Sequence, residues 1–314
     1  MLGNNCNISF NNPLYRDQLI QSECFTNSYL DIIDRFFLKT PVTERGGGIT
    51  LYSMKEQRGS KLESFSSDPN QLEGNAMSDF LLKEYSLRES FPYIVNKSDK
   101  LISEAEKLVM KKLSKLIYRS YLLEGMNDVH SKTSPVDVKI TEDFLEKFKE
   151  VEERLNLTFN NVVMSVKTAN DLIKNDKGIQ KKRELYELPE FDAVNLLRIY
   201  LGIEPFIFEL PEDNIYDGYI YLLHSSRSLD IYSTRVGLRN FVYNGSVGGG
   251  KERAKFDDGK FARRYYDERV GINGGYVAQL SVIGQLKVDN PNLFAVLKLN
   301  GAKELPKAYP TTKE

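Results

Sequence analysis

The stretch Tyr276–Asn300, YVAQLSVIGQLKVDNPNLFAVLKLN, decides how this chain is interpreted. Apolar and polar residues alternate as far as Val288, and side chains alternate faces along a strand, so the pattern predicts a long half-buried strand with one apolar face. The residues Asp289–Asn292 predict a turn, because Asn and Asp tolerate turn dihedrals and proline interrupts strand pairing. A more uniformly apolar strand, Leu293–Leu299, is expected to pair with the first. Since little catalytic chemistry accompanies this sheet, the pattern favours a structural wall.

Composition limits the classes of protein that the chain can represent. Its 314 residues correspond to roughly two domains, and 41% hydrophobic content is enough for a core. Lys and Arg number 43 against 44 Asp and Glu, a formal charge of −1 that does not favour a dedicated nucleic-acid binder. Cys6 and Cys24 are too few for a disulfide framework, which indicates a reducing cytoplasm. We expect neither a signal segment nor a membrane helix, since no apolar run approaches about 18 residues.

The first 95 residues predict two segments with little core of their own. An amphipathic helix is expected around Ser28–Leu38, and its apolar stripe is predicted to pack on a neighbouring subunit. From Ile49 the pattern predicts a long two-stranded hairpin with a polar tip at Ser66–Asn70 and an extended return at Phe80–Tyr93. An isolated hairpin is marginally stable in water, so we expect this one to need a partner surface as well.

A long helix is predicted next, over Ser98–Glu124, with Ser98 as its cap and Gly125 as its end. About 26 helical residues would span about 39 Å, enough for a strut. Its apolar stripe is expected to pack on the apolar face of Tyr276–Val288. The opposite face of that strand, Gln279–Asp289, is expected to remain free for solvent or a neighbouring subunit.

The middle of the chain alternates between helical and extended patterns, which is typical of an α/β or α+β unit. One helix is predicted along Phe144–Leu155, with Thr141 as its cap, and a brief helix is predicted after a Thr168 cap. A third helix is predicted over Phe191–Leu201 and ends at Gly202. Lys174–Glu187 is predicted to be a charged loop. Strands are predicted in three ranges, which are Asn161–Val166, Phe206–Leu210 and Tyr216–Leu223.

The order of these segments resembles the major capsid proteins of tailed bacteriophages, whose Hong Kong 97 or Johnson fold is shared with encapsulin shells. The stretches that carry the resemblance are FPYIVNKSDKLISEAEKLVMKKLSKLIYRSYLLEGM (91–126), NVVMSVKTANDLI (161–173), LLRIYLGIEPFIFE (196–209), YDGYIYLL (216–223) and ERVGINGGYVAQLSVIGQLKVDNPNLFAVLKLNG (268–301). The resemblance implies an α+β Johnson-type capsid fold. Its parts would be an N-terminal arm (1–48), an extended hairpin or E-loop (49–95), a peripheral domain with a long spine helix and long-strand sheet (96–128 and 261–314) and an inserted axial domain (129–260).

The same resemblance implies a non-enzymatic major capsid protein without cofactor. Copies would form the pentamers and hexamers of an icosahedral head shell around double-stranded DNA, bound without sequence specificity. Portal, scaffold and decoration or head-completion proteins would be the other partners, no membrane would be involved, and the virion shell would be assembled in the host cytoplasm. Deleting residues 1–40 is expected to leave a folded subunit that no longer assembles.

One departure from the family keeps an alternative open. Many of its members begin with a long, charged, helical scaffolding segment, whereas this chain has a short polar arm. Either the scaffold is a separate protein or the shell assembles without one. The second possibility corresponds to an encapsulin-like compartment that holds a protein cargo.

The most specific enzymatic motif is Gly245–Lys251, GSVGGGK, which fits the GxxxxGK phosphate loop. A phosphate loop needs a Ser or Thr hydroxyl for Mg²⁺ directly after the Lys, and Glu252 stands there instead. The residues Phe256–Gly259 also interrupt any following helix. The motif therefore favours a flexible loop over a nucleotide-binding enzyme.

The other residues whose types could support catalysis or metal binding are interpreted as structural. No catalytic, cofactor-binding or metal-binding residue is assigned. Glu146, Glu150, Glu152 and Glu153 are expected on a solvated helix face. His224 precedes Ser225 and Ser226, but adjacent strand residues point to opposite faces and no orienting acid is indicated. The two histidines, His130 and His224, lack a zinc-site context.

The cluster Arg263–Tyr266 favours an interface, where Arg and Tyr are enriched, over a nucleic-acid contact. Some capsids of the resembled fold join subunits through a Lys–Asn isopeptide bond. By residue type alone, Lys55, Lys61 and Lys83 are candidates with Asn290 and Asn292.

Overall fold

The computed structural model describes residues 27–52, 74–92, 104–139, 144–186, 193–210, 214–224, 232–233, 235–247, 254–272 and 274–303. The helices of this part are α1 (Ser28–Phe36), α2 (Glu104–Lys132), α3 (Phe144–Leu155), α4 (Val166–Asn175), α5 (Lys177–Tyr186) and α6 (Ala193–Leu201). The strands are β1 (Leu38–Val42), β2 (Gly46–Tyr52), β3 (Gly74–Leu81), β4 (Lys83–Pro92), β5 (Val136–Val138), β6 (Asn161–Ser165), β7 (Pro205–Phe208), β8 (Tyr219–Leu223), β9 (Leu238–Tyr243), β10 (Ser246–Val247), β11 (Ala254–Lys255), β12 (Lys260–Asp267), β13 (Gly275–Val288) and β14 (Phe294–Leu299).

The long strand β13 is the centre of the first sheet. β4 pairs antiparallel along one edge, as far as Gly284, which pairs with Lys83. β12 and then β9 follow along the other edge, and β1 pairs parallel with β9. Five even-numbered side chains of β13 are buried in the core that α2 covers, as the alternation predicts: Ala278, Leu280, Val282, Leu286 and Val288.

The opposite face of β13 is covered too, so the prediction that Gln279–Asp289 is free is wrong. Ser281 and Ile283 are buried, and the side chain of Asp289 is only 4% exposed. The antiparallel pair β2–β3 lies over this part of the strand and packs with Ile283 in one apolar cluster. Sequence alternation identified the two faces of β13 but not what covers the second one.

The second sheet has the order β5–β14–β8–β6–β7. β14 pairs with β5 and β8 and not with β13, so the predicted pairing of the two last strands is wrong. A short 3₁₀ turn over Pro291–Leu293 separates them, and the chain passes from one sheet to the other there. The uniform apolarity of β14 follows from burial on both faces: Phe294 and Val296 enter the core under α1 and α2, and Ala295 and Leu297 enter the core under α3, α4 and α6.

The helix α2 is longer at its C-terminal end than predicted. Its 29 residues span about 43 Å, and residues 93–103, with the predicted cap Ser98, lie outside the described residues. Gly125 does not end the helix. A Cβ there would lie 2.5 Å from Leu286 Cδ1, so glycine at this position lets α2 approach β13 closely.

The helix α1 forms as predicted but packs within its own chain. Asn27 caps it by accepting a hydrogen bond from Leu30 N, and donates from Nδ2 to Ser114 Oγ of α2 at 3.1 Å. Tyr29, Ile33 and other apolar residues of α1 are buried in the core shared with α2 and β13. The expectation that this stripe packs on a neighbour is therefore wrong, and a deletion of residues 1–40 would remove part of the subunit's own core.

The middle of the chain contains most of the predicted elements. Two corrections concern its helices, and the strands β5 and β9 were not predicted. The range Lys174–Glu187, predicted to be a loop, contains the helix α5. The buried Asp176 caps this helix, because its carboxylate accepts a hydrogen bond from Ile179 N at 2.8 Å. Ser165, and not Thr168, is the cap of α4. The predicted cap Thr141 lies outside the described residues.

Each of the two sheets contains a strand from the range that was predicted to form the other domain. β9 comes from the range predicted to be axial and belongs to the first sheet, whereas β14 comes from the range predicted to be peripheral and belongs to the second. One core, which contains α1 and α2, contacts both sheets. The division into arm, hairpin, peripheral and axial domains stays a prediction.

Candidate functional site

The β2–β3 hairpin is attached to the first sheet by its inner face. We call Gly46–Tyr52 together with Gly74–Leu82 the hairpin root; residues 53–73, which join the two strands, lie outside the described residues. The inner side chains Leu51 and Phe80 are buried, and the Phe80 ring stacks on Phe241 of β9 with 5.0 Å between centroids. The extended return predicted at Phe80–Tyr93 is divided between two strands: β3 completes the hairpin and β4 joins the first sheet.

A buried ion pair lies beneath the hairpin root. Arg239 of β9 donates from Nε to Asp289 Oδ2, and the two side chains are 0% and 4% exposed. Arg239 also donates from Nη2 to the carbonyl of Ser233 at 2.7 Å. Ser78 of β3 donates its hydroxyl to Asp289 Oδ1 at 2.6 Å. The hairpin thereby satisfies part of the hydrogen-bonding capacity of a buried carboxylate, which is costly to leave unsatisfied.

Side chains of β13 extend this attachment along the hairpin. Lys287 donates from Nζ to the carbonyl of Asp79 at 2.5 Å and lies 3.8 Å from Asp289 Oδ1. Gln285 accepts a hydrogen bond from Leu81 N at 2.9 Å through Oε1. These odd-numbered residues were predicted to face solvent or a neighbour, and instead they hold the hairpin root.

The connection from the hairpin into β4 is held by α2. Lys83 and Tyr85 both donate to the carboxylate of Glu124. Burial raises the pKa of Tyr85, and the hydrogen bond to Glu124 and its charge add to the effect. Lys83, a candidate for an isopeptide bond, therefore has an ion pair within its own chain.

The outer face of the hairpin root remains open. Met77 is 67% exposed and Leu81 is 69% exposed, four residues apart on the side that faces away from β13. The hairpin root thus combines a fixed position on its own subunit with apolar side chains that the described part of the chain leaves exposed.

The phosphate-loop motif lies in a short hairpin. β10 and β11 pair antiparallel, and residues 248–253 between them, including Lys251 and Glu252, lie outside the described residues. The residues after the motif form the strand β11, whereas a phosphate loop is followed by a helix. The local structure does not supply a helix N-terminus for phosphate.

The acidic residues of α3 take separate roles. Glu146 and Glu153 are exposed, on a helix that buries Phe144 and Phe148, as predicted. Glu152 accepts a hydrogen bond from Phe159 N at 2.8 Å. The hydrogen bond from Lys147 lowers the pKa of Glu150, which suits a charged surface residue.

The remaining sequence candidates have local partners. His224 contacts the carbonyl of Thr158 through Nδ1 at 2.7 Å, and Ser225 and Ser226 lie outside the described residues. Arg263 donates to Gln279 Oε1 at 2.6 Å and lies over the ring of Tyr265.

Two isopeptide candidates, Lys55 and Lys61, lie outside the described residues. Asn290 accepts from Asn292 N at 3.1 Å and so caps the 3₁₀ turn. The structure therefore gives Asn290 a local role that its residue type did not indicate.

His130 has a structural role that sequence reasoning missed. Near the end of α2, its Nε2 lies 3.1 Å from the hydroxyl of Tyr221, and its ring makes an edge contact with Tyr219 at 4.7 Å. Burial lowers the pKa of His130 to about 4, and the charge of Lys298 contributes. This histidine therefore joins α2 to the second sheet in its neutral form.

Among the described residues, no group of three or more His, Cys, Asp or Glu side chains is placed to hold a metal ion. In the same part of the chain, no helix is both long and apolar enough to cross a membrane.

Similarity to known proteins is found in structure and not in sequence. No sequence-family profile and no curated protein matches the chain. A phage-related protein from Bordetella bronchiseptica RB50 is similar over 95% of this chain and 98% of its own, with a TM-score of 0.63 at 11% identity. A structure from Gordonia phage Cozz is similar over 86% of both chains, with a TM-score of 0.50 at 13% identity. The mature capsid of bacteriophage PhiM1 is similar over 86% of this chain and 87% of its own, with a TM-score of 0.48 at 9% identity.

Identities this low show the fold alone. The chain has the Hong Kong 97 type of capsid fold, an α+β fold, and the resemblance drawn from its sequence is confirmed at that level.

Proposed function

We propose that this chain, with its Hong Kong 97 type of fold, is the major capsid protein of a tailed phage. Its copies would assemble into pentamers and hexamers that close an icosahedral head shell around double-stranded DNA. A closed symmetric shell requires one subunit to repeat the same contacts with its neighbours. The observation that carries the proposal is the hairpin root, which is anchored on its own sheet and exposes Met77 and Leu81 on its outer face.

The attachment of the hairpin root supports an assembly role physically. An isolated two-stranded hairpin is marginally stable in water. Here Ser78, Gln285 and Lys287 hold it on the first sheet, so its outer face is ordered before any neighbour arrives. Preorganisation lowers the entropic cost of association, which suits a contact that must form many times in one particle.

We also propose how the chain is divided into domains and which other proteins join the shell. Residues 1–48 would form the arm, 49–95 the extended hairpin, 96–128 with 261–314 the peripheral domain, and 129–260 the axial domain. Portal, scaffold and decoration or head-completion proteins would join the shell, which would be assembled in the host cytoplasm and remain in the virion. The protein would act by assembly, without catalysis.

Expression of the full chain, followed by negative-stain microscopy and size-exclusion chromatography, tests this function. We expect closed shells or free capsomers. The ratio of absorbance at the nucleic-acid and protein maxima then separates the two classes of shell. Particles that carry nucleic acid support a phage head, whereas particles that co-purify with one protein cargo and no nucleic acid support the encapsulin-like alternative. A chain that stays monomeric under all conditions contradicts both.

Substitution of the exposed apolar residues tests the observation itself. Met77→Asp and Leu81→Asp place a charge on the outer face without touching the buried inner face. The subunit should therefore fold normally but assemble poorly. Met77→Leu is the matched control and should assemble normally. Normal particle yield from both aspartate variants would contradict a role for this face.

A further inference from the structure

A cavity of about 400 Å³ lies where the two sheets meet. It is lined by the end of α1, by the first residues of β1 and β9 in the first sheet, and by terminal residues of β6, β8 and β14 in the second. Cavities that bind small molecules typically have volumes of about 300–1,000 Å³. This cavity is therefore large enough for a small organic molecule.

Part of the cavity wall is apolar. Phe37, Leu223, Leu238 and Phe294 line the cavity and are buried. Moving apolar surface from water onto such a wall is favourable. The wall therefore favours a ligand with an apolar body.

Arg35 of α1 brings a positive charge to this cavity in a fixed position. Its Nε donates to Oδ1 of the buried Asn161 at 3.1 Å, and its Cζ lies 5.6 Å from the centre of the Phe206 ring. Within the described residues, its two terminal nitrogens have neither a carboxylate partner nor another acceptor. The N–H groups of these nitrogens are therefore available to a ligand.

A second arginine lines the cavity from the segment before β9. Arg235 is exposed, and its side chain makes no ion pair in the part of the chain that the structure describes. A planar guanidinium matches the oxygens of a carboxylate or a phosphate, to which it can donate two parallel hydrogen bonds. Two such groups on one cavity favour an anion.

The opposing charge in the cavity has its own partners. Among the described residues, Asp34 supplies the one carboxylate that lines the cavity. Burial raises the pKa of Asp34, and the positive charges of Lys39 and Lys260 oppose this rise. Lys39 also lines the cavity and forms an ion pair with Asp258. Asp34 therefore has two neighbouring lysines, which leaves the two arginines as the excess charge of the cavity.

We propose that this cavity is a binding site for a small organic anion. A carboxylate or phosphate head group accepts hydrogen bonds from Arg35 and Arg235, and an apolar body lies against Phe37 and Leu238. The limited volume favours a small molecule over a polymer. Because the site is built within one chain, this inference does not rest on assembly into a shell.

The first experiment varies the ligand and uses isothermal titration calorimetry of the full-length chain. Cinnamate carries a carboxylate on an apolar body, and cinnamamide has nearly the same shape without the charge. We expect cinnamate to bind with one ligand per chain, and cinnamamide to bind at least about tenfold more weakly. Acetate, which lacks the apolar body, should also bind at least about tenfold more weakly. Cinnamyl phosphate distinguishes the head groups, since the tighter of the two anions identifies the preferred one.

The second experiment varies the protein and locates the binding. Arg35→Gln and Arg235→Gln each remove one positive charge and keep a polar side chain, so each should weaken the binding of cinnamate about tenfold. Arg198→Gln, at an exposed position of α6 outside the cavity, is the matched control and should bind as the original chain does. Circular dichroism checks the folding of each variant. Arg235 is exposed, so its variant tests the site even if Arg35→Gln folds poorly.

Three outcomes would overturn this site. Equal affinities for cinnamate and cinnamamide would show that the charge is not recognised. Unchanged affinity in both cavity variants would place the binding elsewhere on the chain. Dissociation constants above about 1 mM for both cinnamate and cinnamyl phosphate would mean that the cavity does not bind organic anions.

Discussion

The helix α1 and the hairpin root began with the same prediction and ended in different environments. Both were expected to need a neighbouring subunit, because neither has a local core. α1 packs its apolar stripe against α2 and β13, where Tyr29, Ile33 and Phe36 are buried and Leu30 is partly buried. The hairpin root buries one face on β13 and leaves Met77 and Leu81 exposed on the other.

The difference shows that a missing local core does not identify an interface. An apolar stripe can be buried by any complementary apolar surface, and elements distant in the same sequence can supply that surface. A strand pair has two faces, so one face can be buried while the other remains exposed. The face left exposed after the chain's own contacts are made is the better guide to assembly.

The largest expected effect comes from a substitution that removes the buried ion pair beneath the hairpin root. Asp289→Ala leaves Arg239 buried without its partner, and removing one member of a buried pair costs about 3–5 kcal/mol. Urea unfolding of the dissociated subunit measures the change in free energy of unfolding. Asp289→Asn keeps an acceptor for Ser78 and should cost less. A loss below about 1 kcal/mol for the alanine variant would mean that the pair does not stabilise the fold.

The next prediction compares the two regions directly. Ile33→Ala in α1 removes a fully buried side chain and should lower the free energy of unfolding by about 3 kcal/mol. Met77→Ala in the hairpin root changes an exposed side chain and should stay within about 0.5 kcal/mol. Thermal or urea unfolding of both variants provides the measurement. Equal losses would remove the distinction between the two regions.

Acid should weaken the core that contains α1. The neutral form of His130 packs against Tyr221, whose ring also contacts Phe36 of α1 at 5.0 Å. Because the folded-state pKa of about 4 lies below the ordinary 6.5, the unfolded chain binds more protons between these values. Stability is therefore complete above pH 6.5 and should fall by about 2 to 3 kcal/mol as pH decreases to 4.

The matched variant isolates the contribution of this histidine. His130→Gln cannot take up the proton, so its free energy of unfolding should depend less on pH between 6.5 and 4. Unfolding curves of both proteins at several pH values in this range provide the comparison. An identical pH dependence would assign the acid effect to other groups.

The smallest expected effect comes from the loss of one hydrogen bond that holds the hairpin root. Ser78→Ala removes the donor to Asp289 Oδ1 and should cost about 1 kcal/mol. Hydrogen exchange at the amides of Met77–Leu81 should become faster, because the inner face loses a fixed point. Ser120→Ala, at an exposed position of α2, is the control and should leave those amides unchanged. Unaltered exchange in Ser78→Ala would show that apolar packing alone holds the hairpin.

Local patterns predicted much of the fold. The alternation of β13, the apolar stripes of α1 and α2, and the end of α6 at Gly202 all follow from neighbours a few residues apart. The order of these elements was enough for the capsid fold to be recognised. The helix α5 was missed although Asp176 is an ordinary helix cap, because the charged residues after it suggested a loop.

The candidate site was harder to predict, because its parts are far apart in sequence. Ser78 and Asp289 are 211 positions apart, and nothing local indicates that they meet. The GxxxxGK motif suggested chemistry that the strand β11 does not support. The hairpin was predicted, whereas its buried ion pair and its exposed outer face were not.

The sequence by itself determined most of the helices, the long strand β13 and which of their faces are apolar, because these properties depend on the spacing of side chains a few residues apart. Only the tertiary structure decided the partners. It placed β14 in the second sheet, β4 beside β13, α1 in its own core and Gly125 against Leu286. An apolar face is stabilised by any complementary surface that excludes water, so the pattern alone does not specify which one. Strand pairing and close packing select the partner from distant parts of the chain.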